Sequence, residues 1–272
     1  MRLKKAGIES ATAEVEIILE YVLQIERIDV YLHGATLLDE NTLARFDEII
    51  KERCTRKPLQ YILGEMYFYG RKFLVSPAVM VPTPETEILC DLAINYIKNE
   101  KLPAPDILDI GAGSGVICVT MACEIPDAKI TALDISQDAL RIARKNAERW
   151  EVSGRIKFLE SDAFKALDIN NRFDLILSNP PYISDNEYRE LPPEVLADPK
   201  IALTSGAEGL DFIKIIIEKA PYYLKNKGRL MFEIGYDQAE KVARLTEKDS
   251  RYRSIAIMRD LNDIDRVVIL SI

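Results

Sequence analysis

The 272-residue chain is 48% hydrophobic and 29% charged, the range of a globular protein with room for a main domain and a smaller one. Its net charge is −8, with 11 Lys and Arg against 12 Asp and Glu in residues 1–72 and 25 against 32 in residues 73–272; lack of a basic footprint argues against broad, sequence-independent binding to nucleic acid. Charges throughout the first 20 residues, no apolar run near the ~18 residues of a membrane span, four scattered cysteines and a single histidine, His33, argue against a signal-peptide core, a membrane helix and a Cys/His metal site, and suit a reduced, cytoplasmic setting.

Residues 8–58 read as helices. In AEVEIILEYVLQI, Val15, Ile18, Leu19, Val22 and Leu23 recur at helical spacing. DENTLARFDEIIKERC repeats the pattern, with Leu43, Phe46, Ile49 and Ile50 on one face and Asp39 or Asn41 as the cap. A small bundle is expected, with His33 as a turn or capping residue. PLQYILGEMYFYGRKFLVS carries three tyrosines, two phenylalanines and two glycines and reads as a hairpin or irregular strands. VPTPETE then puts Pro84 and Glu85 in the first turn of a helix running to about Asn99. The expected division is a helical domain over 1–72, a hairpin or linker over 73–85 and a main domain over 86–272.

From Asp106 the chain alternates. ILDI is a short buried strand, GAGSG a turn and VICVTMACEI a helix. KITALDI is a strand, and SQDALRIARKNAERW is a helix capped by Ser136. RIKFLE and FDLILS are strands, LDFIKIIIEKAPYYL a helix and GRLMFEIG a strand. Such alternation implies right-handed βαβ units and a parallel sheet covered on both faces. SIAIMRDL and DRVVILSI are strands with too little chain between them for a crossover, so they should pair antiparallel at the sheet edge.

Three places in this α/β pattern can carry chemistry. The run Asp109, Ile110, Gly111, Ala112, Gly113, Ser114, Gly115 follows a strand and opens a helix. Glycines let such a turn approach a ligand closely, and the helix N-terminus favours polar or anionic groups. Asp134 ends the next strand, 23 residues after Gly111, where an acid reaches the ribose of a nucleotide-type ligand. The third glycine of a dinucleotide fingerprint is absent, since position 116 is Val. The spacing suits an adenosine ligand without a pyrophosphate, and S-adenosylmethionine methyltransferases are the large class that matches. Asp162, in Glu160-Ser161-Asp162-Ala163-Phe164 after the third strand, could accept a hydrogen bond from an adenine amino group.

The third place is Asn179-Pro180-Pro181-Tyr182, which ends the fourth strand of the sheet. A planar NH2 group has a delocalised lone pair and is a poor nucleophile. Two acceptors in its plane, the Asn179 side-chain oxygen and the Pro180 carbonyl, could hold both hydrogens and leave the nitrogen face open to an incoming methyl. Prolines stiffen the backbone, and the Tyr182 ring could stack on a planar substrate. In-line positioning would supply much of the rate. The motif by itself says only that the acceptor is a planar nitrogen.

NPPY behind GxGxG resembles the amino-methyltransferases, which act on adenine, cytosine or glutamine nitrogen. The N-terminal helices, PLQYILGE, VPTPETE, LDIGAGSGVI, ILSNPPYI, EGLDF, EIGYDQ and DLNDIDRVV resemble one branch over essentially the whole chain. That branch is the HemK/PrmC family, the peptide chain release factor glutamine N5-methyltransferases. The resemblance implies a Rossmann-like class I S-adenosylmethionine methyltransferase sheet, mostly parallel with an antiparallel edge strand, behind a small helical domain that recognises the protein substrate. It implies that Gly111, Ala112, Gly113, Ser114, Gly115 and Asp134 bind S-adenosylmethionine, and that Asp162 and Ala163 line the adenine pocket. Asn179 would touch both cofactor and substrate, and Asn179, Pro180, Pro181 and Tyr182 would hold the glutamine of the release factors' GGQ tripeptide, with Asn179, Pro180 and Tyr182 catalytic. A monomer without metal, membrane or stable nucleic-acid partner is expected. The chain departs from the family pattern at Thr83, where Arg is usual, at Ala197-Asp198, where Phe-Glu is usual, and at Ala163, where a larger aromatic is common and Phe164 could substitute.

Two other readings keep the fold. An N6-adenine DNA or RNA methyltransferase shares the tetrapeptide, but such enzymes carry a basic face and aromatic platforms, and residues 73–272 sum to −7. A noncatalytic binding module would not need Asn179, Pro180 and Tyr182 intact.

Overall fold

The computed structural model describes residues 2–32 and 37–272; His33 lies outside them. The chain opens with α1 (Arg2–Lys5), α2 (Ala11–Leu23), α3 (Arg27–Leu32), α4 (Glu40–Arg53) and α5 (Leu59–Leu63). Asp39 caps α4 by accepting the Thr42 N–H at 2.9 Å. Leu3, Ile8, Ile18, Ile49, Ile50, Leu59 and Leu63 form a core of their own. Leu59–Leu63 is helical, where strand or irregular structure was expected. Pro58 starts the turn, and Gly64, at φ 74°, ends it in the left-handed conformation that glycine adopts without penalty.

The hairpin β1 (Glu65–Phe68) and β2 (Arg71–Leu74) straddles residue 72. Phe68 and Phe73 meet edge to face, 6.0 Å apart, and are buried in the core of the sheet, not in that of the helices. Residues 75–84 then lead into α6 (Glu85–Asn99).

Beyond α6 come β3 (Asp106–Ile110), α7 (Val116–Glu124), β4 (Lys129–Asp134), α8 (Gln137–Arg149), β5 (Ile156–Glu160) and β6 (Phe173–Ser178). Then follow α9 (Pro193–Leu196), α10 (Lys200–Leu203), α11 (Asp211–Lys219), β7 (Leu224–Glu233), α12 (Ala239–Thr246), β8 (Ser254–Arg259) and β9 (Asp265–Ser271). The strand order is β5-β4-β3-β6-β7-β9-β8. All neighbours from β5 to β7 pair parallel, and β9 runs antiparallel to both β7 and β8. The sheet is therefore the mostly parallel one expected, with the reversed strand one place in from the edge.

The central strands are apolar on both faces because helices cover both. Ile107, Leu175 and Leu177 pack with α6, α7 and α8, while Leu108, Ile110 and Ile176 pack with α11 and α12. Helix α11 ends at Lys219, short of the expected Leu224, and residues 220–222 make one 3-10 turn. Pro221 lacks the N–H that continuing the helix would need. Helix α12 was not foreseen, although Val242 on its inner face is fully buried.

An ionic clamp joins the helical domain to the segment after β6. The buried Arg53 guanidinium binds Glu14 at 2.7 Å and Glu194 at 2.9 Å, and Arg56 grips Glu194 at 2.5 and 2.7 Å. The Arg56 hydrogen bonds hold the Glu194 carboxyl down at about 2. Nearby, the Tyr61 hydroxyl meets the Val79 carbonyl at 2.6 Å and the Asp198 carboxyl. Asp198 also accepts the Val81 N–H at 3.4 Å. Thus one departure from the family pattern has a defined place, tying α5 and the chain before α6 to the loop beyond the Asn-Pro-Pro-Tyr run.

Candidate active site

The carboxyl ends of β3, β4 and β6 open into a cavity of about 370 Å³, within the range of small-molecule sites. Gly111, Ala112, Gly113, Ser114, Asp134, Asp162, Ala163, Asn179 and Pro181 share its wall. This is the crevice at which a doubly wound sheet changes direction of build.

The glycine turn is held largely by its own backbone. The N–H groups of Gly111 and Ala112 both donate to the Leu133 carbonyl, at 2.8 and 2.9 Å. The Gly113 N–H donates to Asp134 Oδ2 at 2.8 Å, and the Ser136 N–H to Asp134 Oδ1 at 2.8 Å. Asp134 thus braces the loop as well as facing the cavity, and burial raises its carboxyl pKa. Gly115 does not line the cavity. It has φ 83°, and a Cβ there would lie 3.0 Å from the Ala143 Cβ, so it serves the close approach of α7 to α8.

Asp162 stands on the exposed rim, with its carboxylate on Lys165 Nζ at 2.6 Å. Ala163 lines the cavity at φ 48°. Phe164 does not replace a missing aromatic there. It is buried on the far side, stacked on Tyr223 with ring centroids 5.0 Å apart. Ile135 supplies the apolar surface instead, 48% exposed beside Asp134 and part of the wall. An apolar side chain directly after the strand-ending acid was the available signal, and sequence reading passed over it.

At the other edge, Ser178 Oγ donates to the Ile110 carbonyl at 2.7 Å, which pins the end of β6 to the end of β3. Asn179 and Pro181 reach the cavity, whereas Pro180 is buried and Tyr182 lies off the wall among the described residues. The Tyr182 ring packs against the core, and burial pushes its hydroxyl pKa up. Its carbonyl accepts Gln238 Nε2 at 2.8 Å. Gly209 lies so close that a Cβ on it would fall 2.1 Å from that carbonyl. EGLDF and EIGYDQ therefore act as scaffolding around the Asn-Pro-Pro-Tyr run.

Thr86, in VPTPETE, and Glu233, at the head of EIGYDQ, complete this edge. Asn179 Nδ2 donates to Thr86 Oγ1 at 2.9 Å, and Thr86 Oγ1 donates to Glu233 Oε2 at 2.6 Å. Thr86 comes from the first turn of α6, is 1% exposed and lines the cavity; Glu233 ends β7 and is fully buried. An acid closing a strand as apolar as LMFE was the signal available. Burial lifts the Glu233 carboxyl to about 7, and its Oε1 has no hydrogen-bond partner. Asp109, under the glycine turn, is also lifted to about 7 by burial and also has one partnerless oxygen.

The arrangement sets a nucleotide-sized crevice with an acid on one side and a fixed amide on the other. The PrmC N-terminal domain family matches residues 1–64, and the methyltransferase small domain family matches residues 90–208. The release factor glutamine methyltransferase of Fusobacterium nucleatum is 38% identical over 98% of this chain and 75% of its own. That of Chlorobaculum tepidum is 38% identical over 95% of this chain and 90% of its own. In fold, the crystal structure of a methyltransferase from Pyrococcus furiosus is similar, with a TM-score of 0.54 at 19% identity over 75% of this chain and 90% of that one.

Proposed function

The chain belongs to the release factor glutamine methyltransferase family, and from that premise we propose its reaction: a methyl group passes from S-adenosylmethionine to the side-chain amide nitrogen (N5) of the glutamine in the GGQ motif of peptide chain release factors. The observation that carries this reading is Asn179 in one cavity with Gly111, Gly113 and Asp134. An amide-orienting group and an adenosine-type cradle then serve one crevice.

The residues present fit the cofactor. A Cβ on Gly113 would meet no heavy atom nearer than 4.0 Å, so the turn leaves open space before its backbone. Asp134 keeps further lone pairs for ribose hydroxyls after accepting two N–H groups. Ile135 and Ala163 offer apolar surface to an adenine ring. Bound there, the cofactor supplies an electrophilic methyl on a sulfonium leaving group.

The chain's own residues supply position. Asn179 Oδ1 and the Pro180 carbonyl accept the two N–H hydrogens of the substrate amide. That holds the amide plane still and turns the nitrogen face to the methyl. Pro180 and Pro181 keep the two acceptors in register, and Gln238 holds the following carbonyl. On transfer the nitrogen would gain its bond to the methyl carbon as the sulfonium's carbon–sulfur bond breaks and the neutral thioether leaves, and it would then lose a proton to water, so no strong base is required. The helical domain would dock the release factor, with Glu194 and Asp198 joining it to the loop beside the cavity. A cytoplasmic monomer fits this role.

The test is transfer of labelled methyl from S-adenosylmethionine, offered side by side to purified release factors and to nucleic acid, with mass spectrometry to map the label. Label on the GGQ glutamine is expected. Label in nucleic acid alone would replace this reading with an adenine methyltransferase.

A further inference from the structure

Asn179 can present either end of its side-chain amide to the cavity, and only one end accepts hydrogen bonds. We propose that Thr86 and Glu233 are positioning residues for methyl transfer: a one-way relay from Asn179 through Thr86 to Glu233 locks the Asn179 amide with its oxygen toward the substrate. This deepens the reading above and rests on it.

The argument is one of hydrogen count. Glu233 Oε2 lies 2.6 Å from Thr86 Oγ1 and takes the single hydroxyl hydrogen. The hydroxyl then has only lone pairs left for its other neighbour, 2.9 Å away. The end of Asn179 facing Thr86 must therefore be the NH2 end, and Oδ1 must face the other way. With an apolar side chain at 86, both orientations of the amide would be open, and one of them points donors at a substrate group that also donates. Such a pairing leaves two hydrogens facing each other and no acceptor for the substrate N–H.

The relay is built into the fold rather than added at its surface. Thr86 is 1% exposed and Glu233 is fully buried. The three residues come from α6, the position just after β6, and β7, with Thr86 93 positions from Asn179 and 147 from Glu233. Burying a carboxyl beneath an apolar sheet is costly, and Glu233 Oε1 gains no hydrogen bond there. Burial and Glu85 push the Glu233 pKa up, whereas the Thr86 bond and Arg266 pull it down. The ionised carboxylate accepts at Oε2, and a proton carried on the partnerless Oε1 leaves Oε2 an acceptor as well, so the relay keeps its direction in both of these forms. Orienting the amide gives the buried acid at this position a use.

The experiment compares wild type, Thr86→Val and Thr86→Ser, measuring kcat and KM for a purified release factor and the calorimetric Kd for S-adenosylmethionine. The expected result is a fall in kcat of about 10-fold or more for Thr86→Val, the scale of one lost, buried hydrogen bond. Thr86→Ser should stay within about 3-fold of wild type, because it keeps the hydroxyl, and the cofactor Kd should hold within about 3-fold in both. Unchanged kcat in Thr86→Val would overturn the relay, as would equal losses in the Val and Ser variants. Should Thr86→Val fail to fold, Glu233→Met decides by the same readout: it removes the acceptor, frees the Thr86 hydrogen to turn toward Asn179, and should lower kcat similarly. A wild-type protein that does not methylate release factors would instead refute the underlying reading of substrate.

Discussion

The two edges of the cavity are built by different means. The glycine edge is mostly backbone: three successive N–H groups, of Gly111, Ala112 and Gly113, are spent on Leu133 and Asp134, all within one βαβ unit. The amide edge is a chain of side chains. Asn179, Thr86 and Glu233 come from three elements far apart in sequence and meet only when the sheet and α6 pack together. A site made of backbone in a short stretch tolerates much, because few side chains are essential to it. A site made of side chains from distant segments depends on each of them keeping its polar group in place.

That contrast can be broken or sharpened by substitution. The largest effect is expected at the amide edge. Asn179→Ala should lower methyl transfer by roughly 10²–10³-fold, as for loss of a key polar group at a reacting centre. It should leave S-adenosylmethionine binding within about tenfold; turnover near wild type would show that the amide does not orient the substrate. At the glycine edge, Asp134→Ala should weaken calorimetric cofactor binding by about 1–3 kcal/mol, through a lost buried acceptor and a loosened Gly113 loop. Equal affinity would remove Asp134 from the ribose.

A third prediction concerns the floor beneath the amide edge. The Glu233 pKa is raised from 4.5 to about 7 in the folded protein. Between those values the folded state holds a proton that the unfolded chain has released, so stability falls as pH rises through that window. Glu233→Gln should remove of order 1–3 kcal/mol of the difference in unfolding free energy, measured by urea titration, between pH 5 and pH 8. Identical pH dependence in the two proteins would mean that Glu233 is not buried as described. The smallest effect is expected at Gly115→Ala. A residue with φ 83° and a Cβ 3.0 Å from Ala143 should lose about 1–2 kcal/mol of stability. Cofactor affinity of the folded variant should stay within a few-fold, since Gly115 is off the cavity wall, and a large loss would restore it to the binding loop.

How much was legible depended on how local the cause was. Caps at Asp39 and Ser136 are three-residue events, and both form, with Thr42 and Ala139 as donors. The alternation from Asp106 onward is a pattern of buried faces, and the strands appear where that pattern puts them. Leu59–Leu63 was misread because aromatic and β-branched residues favour strands by composition, while Pro58 and Gly64 bounded a helical turn. Phe164 was misplaced by one neighbour's distance: adjacent residues on a turn face opposite ways, and Phe164 turned to Tyr223 while Ala163 faced the cavity.

The sequence by itself determined the class of sheet, the glycine turn with its strand-ending acid, and the amide at the end of the fourth sheet strand. Periodicity and turn chemistry act over a few residues, and the chain carries that information in order. Only the tertiary structure decided that Gly115 serves packing, that Asp198 joins the loop to the helical domain, and that Thr86 and Glu233 stand behind Asn179. These depend on which side chains share a space after folding, and a distance of 2.6 Å between positions 147 apart has no local signature.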